Sequence, residues 1–315
     1  MKIPRLRLAA LVFCIPAIFS SLSAAPPKIG VLLKGRSDFW SAMEKGALEA
    51  GAKLGADVIV KAPLSEADIA VQIQLLGAMG AQGIQALVIA PCNRDTLAGP
   101  VAALAARGVK VVVVDSPLAG ADTAPFVGTN QLAAGEAAGR LLAGLVQEND
   151  EVSILRFSQT SVAAQQRETG AMGALRAAHP HLVVHDDIYS SSESGVEAER
   201  CVLLLDKYPA TRAILASSTQ GTMAMLKLLE ARKSAGSITF VGFGFNLNPA
   251  VAAALSDGTM RGWVAQLPRD VGYKGVETAL ALLAGQKVNA PVSTDIVVIT
   301  KDNLADPRVQ ALLAN

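Results

Sequence analysis

The sequence predicts an α/β fold of two similar lobes, each built on a parallel sheet. Apolar runs of strand length alternate with amphipathic segments of helical length. Such alternation marks β-α-β units, whose crossover helices cover both faces of a parallel sheet. The pattern restarts at Val152 with a second set of similar length. The apolar fraction, 51% of the chain, is mostly Ala, Val and Leu, which suits strands buried beneath Ala-rich helices.

Residues 28–33 form the first predicted strand, an apolar run headed by Lys28. Residues 39–54 carry apolar side chains at helical spacing, with Gly51 and Gly55 near the end. A second strand is predicted over 57–61 and a second helix over 66–79. A third strand follows over 86–90, then a helix over 95–107. The fourth strand, 110–115, is a run of four valines closed by Asp115. In the second set, 152–157 is a strand and 163–178 a helix. Strands at 183–188, 213–216 and 238–243 follow, with helices between them. No low-complexity linker separates the sets, so ordered hinge segments are expected to join them.

The first 25 residues read as an export signal. Lys2, Arg5 and Arg7 precede an apolar core over 8–19, too short to span a bilayer, and small residues run from Ser20 to Ala25. Cleavage is expected after Ala24 or Ala25, giving a periplasmic protein. Cys14 does not mark a lipoprotein, because bulky Phe13 precedes it inside the apolar core. No later apolar stretch is long enough for a transmembrane helix. Cys92 and Cys201 remain after processing and are expected to be separate, partly buried thiols.

Charge and motifs exclude several functions. Removing the three cations ahead of Pro26 takes the formal charge from +1 to −2, and no basic stripe stands out. Nucleic acid and anionic membrane are therefore poor partners. His179, His181 and His185 cluster around a helix end, but no carboxylate or cysteine spacing completes a metal site, so they read as surface histidines. A dehydrogenase needs Gly-x-Gly-x-x-Gly after the first strand; this chain has Leu33-Lys34-Gly35-Arg36-Ser37. A phosphate-binding Lys loop and a Gly-x-Ser-x-Gly elbow are also missing. The expected function is binding without chemistry, and no cofactor is expected.

Ligands of open α/β sheets bind beyond the carboxyl ends of the strands. Those ends carry Ser37-Asp38-Phe39-Trp40, Pro91-Cys92-Asn93, Asp115-Ser116, Thr129-Asn130, Ser217-Ser218-Thr219 and Gly244-Phe245-Asn246. Later come Ala265-Gln266-Leu267-Pro268 and the run from Gly272 to Ala279. Together, in this order, these segments resemble the type I periplasmic solute-binding proteins, in the ribose/galactose-binding branch. The resemblance covers essentially the whole chain after the signal. It implies two Rossmann-like lobes joined by three crossovers: 26–128 with 267–292, and 129–266 with 293–315. It also implies a sugar or polyol ligand enclosed by lobe closure, a monomeric protein, and delivery to an ABC permease of the inner membrane. The alternative is presentation of the ligand to a receptor kinase or chemoreceptor. Related repressors carry a DNA-binding helix-turn-helix where this chain has its signal.

Nine residues are candidates for the ligand site. Phe39 and Trp40 offer rings to a sugar's apolar C–H face, beside Ser37. Asp115, with its costly carboxylate at the end of a valine run, is expected to accept two hydrogen bonds from vicinal hydroxyls. Arg167 sits where the resembling proteins place a cleft arginine, and its fork supplies donors; Arg156 is set aside as a strand-end residue. Asn130 and Gln266, at crossovers, can both donate and accept. Ser218 and Gly244 mark departures. The resemblance places Asn-Asp where Ser217-Ser218-Thr219 stands, Asp where Gly244 stands, and Arg where Ser116 stands. The cleft is thus expected to have lost an amide, a carboxylate and a charge, which makes ribose a poor ligand while the binding role stays.

Overall fold

The computed structural model describes residues 25–121, 124–159, 161–190, 195–234, 236–289 and 291–313. The segment expected to be an export signal, apart from Ala25, lies outside the described residues. The chain begins β1 (Lys28–Leu32), α1 (Asp38–Leu54), β2 (Asp57–Lys61), α2 (Ile69–Ala81), β3 (Ala86–Ile89), α3 (Ala98–Ala106), β4 (Lys110–Val114) and β5 (Phe126–Thr129). It continues with α4 (Gln131–Ala143), β6 (Glu151–Arg156), α5 (Val162–Ala178), β7 (Val183–Tyr189), α6 (Glu197–Lys207), β8 (Thr211–Ala216), α7 (Thr219–Ala231), β9 (Thr239–Phe245) and α8 (Pro249–Asp257). The last elements are β10 (Gly262–Gln266), α9 (Pro268–Leu283), β11 (Val292–Thr294), β12 (Ile296–Ile299) and α10 (Pro307–Gln310).

Two six-stranded sheets result, in the orders β11-β5-β4-β3-β1-β2 and β12-β10-β9-β8-β6-β7. Both faces of each sheet are buried. In β1, Ile29 and Val31 enter one apolar cluster while Leu32 enters the cluster on the opposite face. Continuous apolar strands follow directly from this double burial. The chain passes between the sheets three times: at Asn130, at Leu267 and at Asp295.

Sheet polarity differs from the all-parallel expectation at one edge, where β12 runs antiparallel to β10. The reason is the connection. Asp295 alone separates β11 of the first sheet from β12 of the second, so no crossover helix reverses the chain. Two helix starts also differ. Helix α2 begins at Ile69 because Ser65 and Asp68 close a turn, with the Ser65 amide donating to Asp68 Oδ2 at 3.3 Å. Helix α3 begins at Ala98 because Asn93 Oδ1 accepts from the amides of Asp95 and Thr96.

Glycines bring paired helices into backbone contact beside the site. A Cβ on Gly46 of α1 would collide with the Arg269 carbonyl of α9, and one on Gly135 of α4 with the Arg167 carbonyl of α5. The second contact fixes the backbone of Arg167 against the helix that follows the first crossover.

Candidate ligand-binding site

A cavity of about 410 Å³ lies between the two sheets, at their carboxyl ends. The first residues of α1, α5 and α7 border it, so three helix N-termini, with their partial positive charge, face the same space. Ser161 and Ser218 spend their hydroxyl oxygens on capping, accepting from the amides of Ala164 and Gly221. Ser37 makes no such cap bond.

The wall from the first sheet is an ionic cluster on an aromatic base. Lys34 Nζ donates to Asp115 Oδ2 at 2.9 Å and to Ser116 Oγ at 2.5 Å. Ser116 Oγ donates to the same Asp115 oxygen at 2.8 Å. Burial by itself would lower the Lys34 pKa, but Asp115 and Glu66 outweigh it and hold the ammonium above its usual value. Glu66 Oε1 accepts from Trp40 Nε1 at 2.8 Å. Trp40 is 3% exposed and packs into the core, while half-buried Phe39 meets it edge-on at 4.9 Å between ring centres. Asp115 adopts a left-handed backbone, φ 62°, which turns the chain at the end of β4.

The opposite wall is organised around Arg167, 9% exposed. Its Nε donates to Gln131 Oε1 at 3.1 Å and its Nη1 donates to the Ser217 carbonyl. The guanidinium carbon lies 3.9 Å from the centre of the Phe243 ring. Nη2 has no protein partner among the described residues. Burial pushes the guanidinium pKa down to about 10, against the pull of Glu168 and Asp115. Gln131 Nε2 in turn donates to Gln266 Oε1 at 2.8 Å, tying the second crossover to the first. Fully buried Glu168 braces this wall from behind, accepting from the Phe157 amide, Ser217 Oγ and Arg156 Nε at 2.9, 2.7 and 2.7 Å.

Eight of the nine candidates line this cavity: Ser37, Phe39, Trp40, Asp115, Arg167, Ser218, Gly244 and Gln266. Asn130 does not. It caps α4, accepting from the Ala133 amide at 3.1 Å, and lines an adjoining cavity of about 350 Å³ that shares Asp115 and Ala163. Asp115 is also less open than expected, since Lys34 and Ser116 occupy Oδ2; only Oδ1 has no protein partner among the described residues. Nor has the cleft simply lost a charge at Ser116, because Lys34 brings an ammonium to that hydroxyl. Lys34 and Glu66 were missed as site residues. The one signal for Lys34 was its place directly after the first strand.

Among the described residues no group of three or more His, Cys, Asp or Glu is arranged to hold a metal. His179 closes the end of α5 between the Ala143 carbonyl and Glu148, and His185 pairs with Glu151. Cys92 and Cys201 are both free, and burial pushes each thiol up to about 12.

Two α/β units facing each other across a polar cleft with an aromatic floor define a solute-binding protein. The chain belongs to the family whose sequence model is described as a periplasmic binding protein domain, matched over residues 29–287. It is 29% identical to the D-ribose/D-allose-binding protein of Pseudomonas aeruginosa, over 93% of this chain and 97% of that protein. It is 24% identical to the ribose import binding protein of Escherichia coli, over 84% of this chain and 86% of that one. Among solved structures, a carbohydrate transporter solute-binding protein from Agrobacterium radiobacter in complex with D-arabinose superposes with a TM-score of 0.82 at 26% identity. That match covers 92% of this chain and 100% of that one. An ABC transporter solute-binding protein from Agrobacterium vitis with bound D-fucose gives 0.81 at 26% identity, over 91% and 99% of the two chains. The chain is therefore a non-enzymatic member of the periplasmic binding protein family, similar to sugar-binding proteins of ABC transporters.

Proposed function

We propose that the protein is exported to the periplasm, closes on one small sugar or polyol, and hands it to an ABC permease. The lobes follow the two sheets, and the passages at Asn130, Leu267 and Asp295 act as the hinge. The observation that carries this reading is that one cavity is lined both by Asp115, at the end of β4 of the first sheet, and by Arg167, in α5 of the second unit. A sugar hydroxyl donates to Asp115 Oδ1 and a second oxygen accepts from Arg167 Nη2. These two bonds stretch across the cleft, so they form together only when the lobes approach. The ring packs on Phe39, whose apolar face suits C–H groups.

Mass spectrometry of protein purified from its native periplasm tests the reading. The expected result is one unchanged sugar or polyol, retained at a 1:1 ratio. A protein that carries none and gains no thermal stability from any sugar or polyol would overturn it. Uptake of the labelled ligand should fall when the gene is deleted. Unchanged uptake with a lost transcriptional or chemotactic response would assign the protein to sensing.

A further inference from the structure

Arg167 sets the direction of a chain of amide hydrogen bonds that ends in the cleft. Its Nη1 donates to the Ser217 carbonyl and its Nε donates to Gln131 Oε1 at 3.1 Å, so two bonds fix the guanidinium. A guanidinium has donors only. The Gln131 side chain must therefore turn its oxygen toward Arg167, which leaves Nε2 on the far side. That Nε2 donates to Gln266 Oε1 at 2.8 Å. The bond takes up the Gln266 oxygen in turn and leaves the Gln266 Nε2 as the free end of the chain.

The free end faces the ligand. Gln266 lines the cleft cavity but not the adjoining one. Its Nε2 has no protein partner among the described residues, and none of their side-chain nitrogens or oxygens is both buried and unpartnered, so Nε2 reaches open space. Both glutamine side chains are otherwise buried. Turning over Gln131 would set its NH2 against the Arg167 Nε–H, and turning over Gln266 would set NH2 against NH2. Ser217 follows β8 and Gln266 ends β10, both of the second sheet, and α4 and α5 pack on that sheet. The relay is thus complete on one side of the cleft before a ligand arrives.

We propose that Gln131 is a specificity-determining residue that acts through Gln266. A glutamine in a cleft can offer a ligand its oxygen or its nitrogen; Gln131 restricts Gln266 to its nitrogen. The ligand then presents an acceptor to Gln266, as it does to Arg167 Nη2: a ring oxygen, a carbonyl, or a hydroxyl whose proton goes elsewhere. This rests on the sugar-binding reading above and gives one end of that site a fixed polarity.

Gln131→Glu reverses the relay. The carboxylate, held ionised by Arg167, still accepts from Nε but can no longer donate, so Gln266 must turn its NH2 to it and its oxygen to the cleft. In sugar-free protein with isotope-labelled glutamine side chains, exchange of the Gln266 NH2 with water should be at least about tenfold slower in Gln131→Glu than in wild type. In wild type the Gln131 NH2 should be the protected one, and the Gln266 NH2 should become protected only when a sugar binds. Calorimetry with D-ribose, D-allose, D-arabinose and D-fucose gives the second readout. Affinity for the sugar that wild type binds most tightly should fall further in Gln131→Glu than in Gln131→Met, which leaves Gln266 free to turn either way. A residue that only holds Arg167 gives the opposite order, because a carboxylate holds a guanidinium better than an amide does. That opposite order, unchanged exchange in Gln131→Glu, or a wild-type Gln266 NH2 protected without sugar would overturn the proposal and leave the sugar-binding reading standing. If none of these sugars binds, and no other sugar or polyol does, the sugar-binding reading falls, while the exchange data still decide the direction of the relay.

Discussion

Replacing Arg167 by alanine removes the one charged donor that the described residues give the second wall. Among the described residues the side chain makes two protein bonds, to Gln131 and Ser217, and Nη2 has no protein partner. A charge-assisted hydrogen bond contributes about 1.5–3 kcal/mol, which corresponds to roughly ten- to a hundredfold in affinity. The effect on folding should be smaller. Alanine frees the Ser217 carbonyl and Gln131 Oε1 beside a cavity that admits water, and water can replace the lost donors. It also removes the desolvation that depresses the guanidinium pKa to about 10. Arg167→Lys keeps a charge but cannot serve Gln131, Ser217 and the ligand from one fork, so its affinity should fall between those of wild type and Arg167→Ala. Gln131→Ala removes the partner that holds Nε and should couple to Arg167→Ala in a double-mutant cycle, because the two act through one contact. The assay is calorimetry with the co-purified ligand, checked by circular dichroism. Wild-type affinity in a folded Arg167→Ala protein would show that the guanidinium serves only to join Gln131 to Ser217.

Lys34→Met should cost about 2 kcal/mol in urea denaturation, between the values for exposed and fully buried pairs, because Asp115 loses its cation in a cleft where both partners are only slightly exposed. An unchanged midpoint would mean that Ser116 and water are enough for Asp115. The Ala143 carbonyl and Glu148 raise the His179 pKa, so the bonds stabilise fully below its unfolded value near 6.5 and the gain is lost as pH rises through the folded value. The melting-temperature difference between wild type and His179→Gln should therefore be larger at about pH 5.5 than at about pH 8.5; a reversed order would refute the assignment. Small-angle scattering should show a smaller radius of gyration at saturating ligand, and no change would sink lobe closure.

The fold was legible because parallel strands buried on both faces are continuous apolar runs, as in residues 111–114. The strands that were not read are short or lack that pattern. The β5 strand is four residues with Gly128 and Thr129 in it, and the direction of β12 depends on a one-residue connection that no local pattern reveals. The site was legible where the strand-end rule applies, at Asp115, Ser218 and Gly244. It was not legible where function depends on a partner distant in sequence. Lys34 reads as an ordinary strand end until Asp115, 81 positions later, is seen against it. Glu66 reads as the start of a helix until the turn at Asp68 delays α2 and leaves it beside Trp40. Asn130 lies where the chain passes between the sheets, and a residue one place before a helix is also an N-cap, a use that Oδ1 serves here.

Gly244 shows why a single departure from a pattern cannot be read alone. Taken as a missing acid, it suggests a hole in the site; beside Trp263, the glycine and the indole are one feature. Gly244→Asp alone should then be destabilising, since its Cβ meets the ring and the Thr219 hydroxyl, which can rotate away while the ring cannot. Trp263→Ala alone leaves a cavity and should cost about 3–5 kcal/mol. Combined, the aspartate enters the space that the indole vacated, so the double variant should be more stable than the sum of the two costs predicts by about 1–3 kcal/mol. Chemical denaturation of the four proteins measures the coupling. Additive costs within about 0.5 kcal/mol would mean that residue 244 and the indole do not compete for the same volume.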